Sequence, residues 1–192
     1  MGLAFHYSGS FDKSASLSAM IEEVKDISAV NKWQYTVFEQ SFPSHSFDTE
    51  NYDQKIYGIC FSPSEGEPVW LCFLSNGKMS SPPNLQFFGI TDAPGDRERL
   101  YMLSTKTQYA GVEVHQRIID LLRYLRPRYF SDLKVSDEGQ YWETGDKGLL
   151  KETFKRYDTA LQIVGTALEN NSILPGETFE EYFQRVFKDG KN

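Results

Sequence analysis

The part of the sequence that decides the fold is Lys55–Ser75, which reads KIYGICFSPSEGEPVWLCFLS. Two apolar runs, 55–62 and 68–75, flank the polar segment Pro63–Glu67, and this pattern is typical of a β-hairpin. Apolar side chains occupy both faces of the predicted hairpin. Such a hairpin either lies in the middle of a covered sheet or offers one face to a partner. We expect the covered position.

The two cysteines of the chain, Cys60 and Cys72, occupy mirrored positions about the turn of this hairpin. Their side chains are therefore predicted to approach each other. Two cysteines are too few for a disulfide framework. Reduced, buried thiols are the favoured interpretation, and a disulfide or redox pair is the alternative.

A β-α-β unit is predicted on each side of the hairpin, because apolar residues change from alternating to helical spacing and back again. The predicted elements are strand 3–7, helix 15–31 and strand 33–37 upstream, and strand 100–108, helix 112–126 and strand 129–135 downstream. The sequence therefore predicts an α+β fold. Its mixed sheet is built from two β-α-β units around a central β-hairpin, with helices packed on it and two C-terminal helices.

The two C-terminal helices are predicted within the segment 144–190. Apolar residues recur at helical spacing from Leu150 to Leu168, and a capping box of Thr178 and Glu181 starts the second helix. These apolar stripes are expected to pack on the sheet or on each other, with a dimer interface as the alternative.

Length and composition favour one domain over residues 1–192. The segment 76–97 is rich in Gly, Pro, Ser and Asn and is predicted to be a loop with a short strand at 85–90. It is the candidate boundary between two subdomains.

The net charge of −7 argues against sequence-independent nucleic-acid binding, which needs a basic surface. The chain shows no apolar run long enough to cross a membrane and no signal peptide at its start. These features are typical of an acidic, soluble, cytoplasmic bacterial protein. All eight arginines lie between Arg97 and Arg185. A polar docking site is therefore expected in the second half.

The densest polar cluster is Asp137–Asp146, which reads DEGQYWETGD and contains four carboxylates. Helix capping and solvation explain most of these charges. They do not explain a bulky aromatic pair in a polar loop. We therefore predict partner binding through Tyr141, Trp142 and Glu143. The spacing of the carboxylates does not match an EF-hand loop, because the alternating Asp or Asn ligands are missing, so no metal and no cofactor is predicted.

A candidate catalytic site is predicted where the carboxyl ends of parallel strands meet, since ligands commonly bind there. The side chains expected at this edge are Glu113, His115, Asp137 and Glu138, joined by Ser8 and Ser10 if the first strand runs parallel. His115 would act as a base and the carboxylates would assist it. A histidine packed against the apolar stripe of its helix is the favoured alternative, and the sequence shows no established catalytic motif.

A candidate anion-binding site is predicted at the opposite edge of the sheet, where five arginines are expected to gather. Guanidinium groups bind phosphate or carboxylate through paired hydrogen bonds. Local ion pairs with neighbouring acidic residues and compensation of a helix dipole are the alternative roles. The five residues are Arg97, Arg99, Arg123, Arg126 and Arg128.

These features together favour a non-enzymatic binding domain of an immunity-like or regulatory kind, whose partner is a protein or a small anionic ligand. One alternative function is a small hydrolase or transferase that uses the His115 site. A second alternative is a structural homodimer formed through the C-terminal helices, with Phe179, Phe183 and Phe187 in the interface.

Overall fold

A computed structural model describes residues 2–90, 93 and 95–188 of the chain, without the side chains of residues 48 and 188. Within these residues lie two three-stranded antiparallel sheets and seven α-helices, which confirms the α+β class. The elements are β1 (Ala4–Phe11), α1 (Leu17–Asn31), β2 (Gln34–Val37), β3 (Tyr57–Ser62), β4 (Val69–Phe73), α2 (Pro82–Phe88), α3 (Asp96–Leu100), β5 (Leu103–Lys106), α4 (Val112–Tyr129), β6 (Phe130–Asp137), α5 (Tyr141–Thr144), α6 (Lys147–Glu169) and α7 (Phe179–Lys188), with a 3₁₀ turn at Ser46–Asp48. None of the helices in the described residues is long and apolar enough to span a membrane.

The strand order corrects the prediction of a single mixed sheet. One sheet has the order β5-β1-β6 and the other has the order β2-β3-β4. β1 is antiparallel to both of its neighbours, so β5 and β6 run parallel to each other on either side of it. The downstream β-α-β unit is thus present, with β1 between its two strands. The upstream unit is divided, because β1 and β2 belong to different sheets.

The hairpin β3-β4 is covered on both faces, as expected. One face contributes Ile59, Phe61 and Leu71 to the main core. The other face places Cys60 and Cys72 in a second apolar cluster. Both thiols are free, and burial raises the pKa of Cys60 to about 12. The thiol of Cys60 therefore stays protonated at neutral pH.

The segment 76–97 contains helix α2 and the start of α3, and because α2 covers Pro82–Phe88 the predicted strand at 85–90 is wrong. The Ser81 hydroxyl accepts a hydrogen bond from Asn84 N, and prolines occupy the first turn of α2. Proline is well suited to that turn, because its missing N–H would have no partner there. The same prolines are part of the composition that predicts a loop from sequence. A subdomain boundary in this segment stays a prediction.

The packing of β3 on β4 predicts a strong effect of one glycine substitution. Gly58 has a φ of +117°, and a Cβ at this position would lie 2.3 Å from the Leu71 carbonyl oxygen. We expect Gly58→Ala to lower the free energy of unfolding by about 2–4 kcal/mol, through backbone strain and steric overlap. Chemical denaturation measures this change.

Gly165 in α6 supplies the matched control. Among the described residues, nothing lies within 4 Å of a Cβ added at this position. Gly165→Ala is expected to leave the stability unchanged or to raise it by up to about 1 kcal/mol, because alanine favours the helix. A Gly58→Ala protein as stable as the parent chain would contradict the close contact between β3 and β4.

Candidate functional site

The carboxyl ends of β5 and β6 and the first turn of α4 bring three polar side chains together. His115 Nε2 lies 3.1 Å from each carboxylate oxygen of Asp137, and both side chains are 0% exposed. The other ring nitrogen, Nδ1, lies 2.7 Å from Thr107 Oγ1. Because a carboxylate only accepts hydrogen bonds, Nε2 is the donor to Asp137.

The Asp137 carboxylate also accepts hydrogen bonds from the backbone of the following turn. The donors are the N–H groups of Gly139 at 2.7 Å, Tyr141 at 2.9 Å and Trp142 at 3.0 Å. We call these groups, with Thr107 and His115, the Asp137 network. Burial acts to raise the pKa of Asp137, but the hydrogen bond and charge of His115 and the backbone donors outweigh it. The pKa of Asp137 therefore lies below its usual range.

The structure brings together only two of the four predicted catalytic residues, His115 and Asp137. Glu113 is exposed and its carboxylate lies 4.0 Å from the Arg117 guanidinium. Glu138 accepts a hydrogen bond from Ala4 N at 2.8 Å.

The conditional prediction for Ser8 and Ser10 does not apply, because β1 runs antiparallel to β6. The N-terminal end of β1 therefore lies at this edge, and Leu3 N donates a hydrogen bond of 2.8 Å to Gln108 Oε1 there. Strand direction, which the sequence pattern does not contain, decides which side chains meet at the edge.

The surroundings of His115 leave no room for a substrate. Its ring contacts Phe5 and Phe154 edge-on, with centroid distances of 6.0 and 5.6 Å. A Cβ added at Gly139 would lie 3.1 Å from Nε2. Thr107 is buried as well. The imidazole is therefore enclosed by Phe5, Phe154, Gly139 and Thr107. We therefore propose no reaction at this histidine.

Each of the four carboxylates in the turn 137–146 accepts a backbone hydrogen bond. Beside Asp137 and Glu138, Glu143 Oε1 accepts from Asp137 N at 3.1 Å. Asp146 Oδ1 accepts from Gly148 N at 2.7 Å and begins α6. The concentration of acidic residues is thus explained by local structure.

The three residues predicted to bind a partner have different environments. Tyr141 is 4% exposed and packs in the main core. The carboxylate of Glu143 is engaged with Asp137 N, as described above. Trp142 is half-buried, so part of its indole faces solvent. The aromatic pair therefore divides into one ring inside the core and one ring at the surface.

The arginines predicted to bind an anion also divide into two sets. Arg97 and Arg99 lie on α3, which packs against α2. The other three lie on α4. The guanidinium carbon of Arg128 lies 4.0 Å from the centre of the Tyr124 ring. The remaining two, Arg123 and Arg126, lie near the turn 137–146.

Arg123 and Arg126 both contact Trp142. The guanidinium carbon of Arg123 lies 5.9 Å from the centre of the indole, and that of Arg126 lies 5.7 Å from it. Arg123 also donates to the Trp142 carbonyl at 2.9 Å. Sequence reasoning placed these arginines and Trp142 in separate sites, and the structure joins them.

Among the residues that the structure describes, no three His, Cys, Asp or Glu side chains are arranged to hold a metal ion. Comparisons of the chain with protein-family models, with curated proteins and with solved structures found no match. Function is therefore inferred from the residues of the site.

The Asp137 network predicts a large loss of stability when its charge is removed. Asp137→Asn keeps the shape of the side chain but leaves part of the donor set without a charged acceptor. We expect a loss on the order of 3 kcal/mol at neutral pH, measured by chemical denaturation. Asp132→Asn is the control on the same strand. Its carboxylate is exposed, so the expected change is within about 0.5 kcal/mol.

The stability difference between the parent chain and Asp137→Asn should change with pH in a defined direction. The pKa of Asp137 is lower in the folded protein than in the unfolded chain. The stabilisation by the Asp137 carboxylate is therefore fully present above the pKa of Asp137 in the unfolded chain, near 4. It is lost as the pH falls through the pKa of Asp137 in the folded protein. The stability difference between the parent and Asp137→Asn should shrink below pH of about 4. A difference that is constant or grows on acidification would contradict the assignment.

Proposed function

We propose that the chain is a non-catalytic binding domain that docks an acidic segment of a partner protein. The docking site is the tryptophan–arginine surface, which we define as Trp142, Arg123 and Arg126. The observation that carries the proposal is a partly exposed indole in contact with two guanidinium groups.

The composition of this surface supports protein binding. Tryptophan, tyrosine and arginine are the residues that contribute most often to the binding energy of protein interfaces. Cation–π contacts within about 6 Å hold the indole of Trp142 in one orientation. A ring that is already ordered loses less conformational freedom when a partner binds, so more of the contact energy is available for affinity.

The local charge supports an acidic partner. Helix α4 carries four arginines and two acidic residues, although the chain as a whole has a net charge of −7. A positive patch on a negative protein attracts a negative segment of a partner. Charge of this kind mainly sets the rate and specificity of association.

The Asp137 network supports a rigid surface. Trp142 N donates to the buried Asp137 carboxylate, and Arg123 donates to the Trp142 carbonyl. The backbone of Trp142 is thus fixed on both sides, whereas its ring stays partly exposed. The partly exposed ring is therefore attached to a backbone that buried hydrogen bonds hold in place.

We propose that the chain is a cytoplasmic regulatory or immunity-like protein, which acts by covering the surface of its partner. Two free, protonated thiols suit a reducing compartment.

A photo-crosslinking residue in place of Thr144, an exposed residue close to Trp142 in the sequence, tests this proposal in cells that make the protein. We expect one predominant adduct, with a protein whose crosslinked region is acidic. Adding Arg126→Glu should reduce its yield about tenfold or more, because the charge of the surface is reversed. Mass spectrometry identifies the adduct and measures its yield.

Arg99→Glu is the matched control, since Arg99 is an exposed arginine on α3. This variant should keep the adduct, and a crosslinker in place of the exposed Tyr109 should not form it. An adduct that forms equally from position 109, or that is insensitive to Arg126→Glu, would sink the proposal.

A further inference from the structure

Helices α6 and α7 form an arm, which we define as residues 155–188, with an exposed apolar surface. From Lys155 to Asn170 every residue is exposed or half-exposed. Among the side chains of α7 that the structure describes, Tyr182 alone is buried. The first turns of α6, in contrast, place Leu150 and Phe154 in the main core. The arm therefore extends a well-packed helix into solvent.

The turn between the two helices is firmly fixed. The Tyr182 hydroxyl donates to the carbonyls of Leu168 and Asn171 at 2.9 and 2.7 Å. Arg185 forms an ion pair of 2.7 Å with Glu177. The arm is thus an ordered helical hairpin rather than two independent helices.

The outer surface of the arm is rich in apolar side chains. Phe179 is 70% exposed and Phe183 is 42% exposed, and the rings of Phe179, Phe183 and Phe187, each tilted by 40° to the next, form a stripe along α7. Ile163 on α6 is 63% exposed. Exposed apolar patches of this kind usually mark an interaction surface.

Charge is separated along the arm. The segment 147–156 at its base contains four basic residues and one acidic residue. The segment 169–181 at its tip contains four acidic residues and no basic residue, and Arg185 compensates one of the four, Glu177. About 14 residues of helix, or roughly 20 Å, separate the two ends along α6. The base is therefore positive and the tip is negative.

We infer that the arm binds the arm of a second copy of this chain, with the two arms antiparallel. A two-fold axis brings the same surface of both copies together, so the surface must be complementary to itself. Antiparallel arms meet this condition, because each acidic tip lies against a basic base and the apolar stripes lie between them. Parallel arms would place acid against acid.

The tip of the partner arm binds an exposed face of α6 near the base. Ala160 and Ile163 form the apolar part of this face, and the side chains of Glu152, Lys155, Arg156 and Thr159 surround them. Lysine and arginine lay aliphatic stems along such a face while their charges stay at its rim. Phe179, at the start of α7, is the exposed apolar side chain of the tip that we assign to this face. This inference does not depend on the tryptophan–arginine surface, which lies on α4 and α5.

Two charge-reversed proteins test the inference. The tip-reversed protein carries Glu169→Lys and Glu180→Lys, and the base-reversed protein carries Lys151→Glu and Lys155→Glu. All four side chains are exposed, and circular dichroism checks that each protein is folded. Sedimentation velocity over a range of concentrations gives the dissociation constant of each protein, of the parent chain and of a mixture of the two variants.

We expect the parent chain to form a dimer and each variant alone to bind itself about tenfold or more weakly, since like charges then face each other. Mixing the variants should restore the dimer, because the reversed tip of one variant then meets the reversed base of the other and the two unreversed ends meet each other. A parent chain that stays monomeric at every concentration would overturn the inference. So would variants that dimerise as tightly as the parent, or a mixture that forms no heterodimer.

Discussion

The local structure around the site depends on one buried charge, the carboxylate of Asp137. Removing a carboxylate from water is costly unless donors replace the lost hydration. Here the replacement comes from the His115 imidazole and from the backbone N–H groups of Gly139, Tyr141 and Trp142. The donors belong to α4 and to the turn that forms α5. Satisfying the charge therefore fixes the helix, the end of β6 and the turn relative to each other.

This constraint determines which ring of the aromatic pair reaches the surface. Consecutive N–H groups of Tyr141 and Trp142 point at the same carboxylate, so the backbone enters a helical turn and the two side chains leave in different directions. Tyr141 enters the core, and Trp142 lies beside Arg123 and Arg126. A binding surface supported by a buried ionic network needs little rearrangement when a partner arrives. The docking proposal rests on that combination.

The sequence predicted most of the helices and strands but few of the contacts between them. Apolar periodicity located α4 and α6, because a buried face repeats at a fixed interval. It could not show that β1 lies between β5 and β6, since strand pairing depends on contacts between distant residues. His115 and Asp137 were both named from sequence. Thr107 was missed, because a threonine in a predicted strand carries no distinguishing signal. The roles of the acidic residues were also hidden, since their donors are backbone groups common to every residue.

Amide hydrogen exchange, measured by NMR, tests the central claim most directly. In the parent chain, the amides of Gly139, Tyr141 and Trp142 should exchange slowly, because each donates to the buried carboxylate. In Asp137→Asn their exchange should accelerate by at least about tenfold more than that of the amides of β3 and β4, which speed up only as far as the loss of global stability requires. Rapid exchange of the Trp142 amide in the parent chain, or equal rates in both proteins, would contradict the role assigned to Asp137.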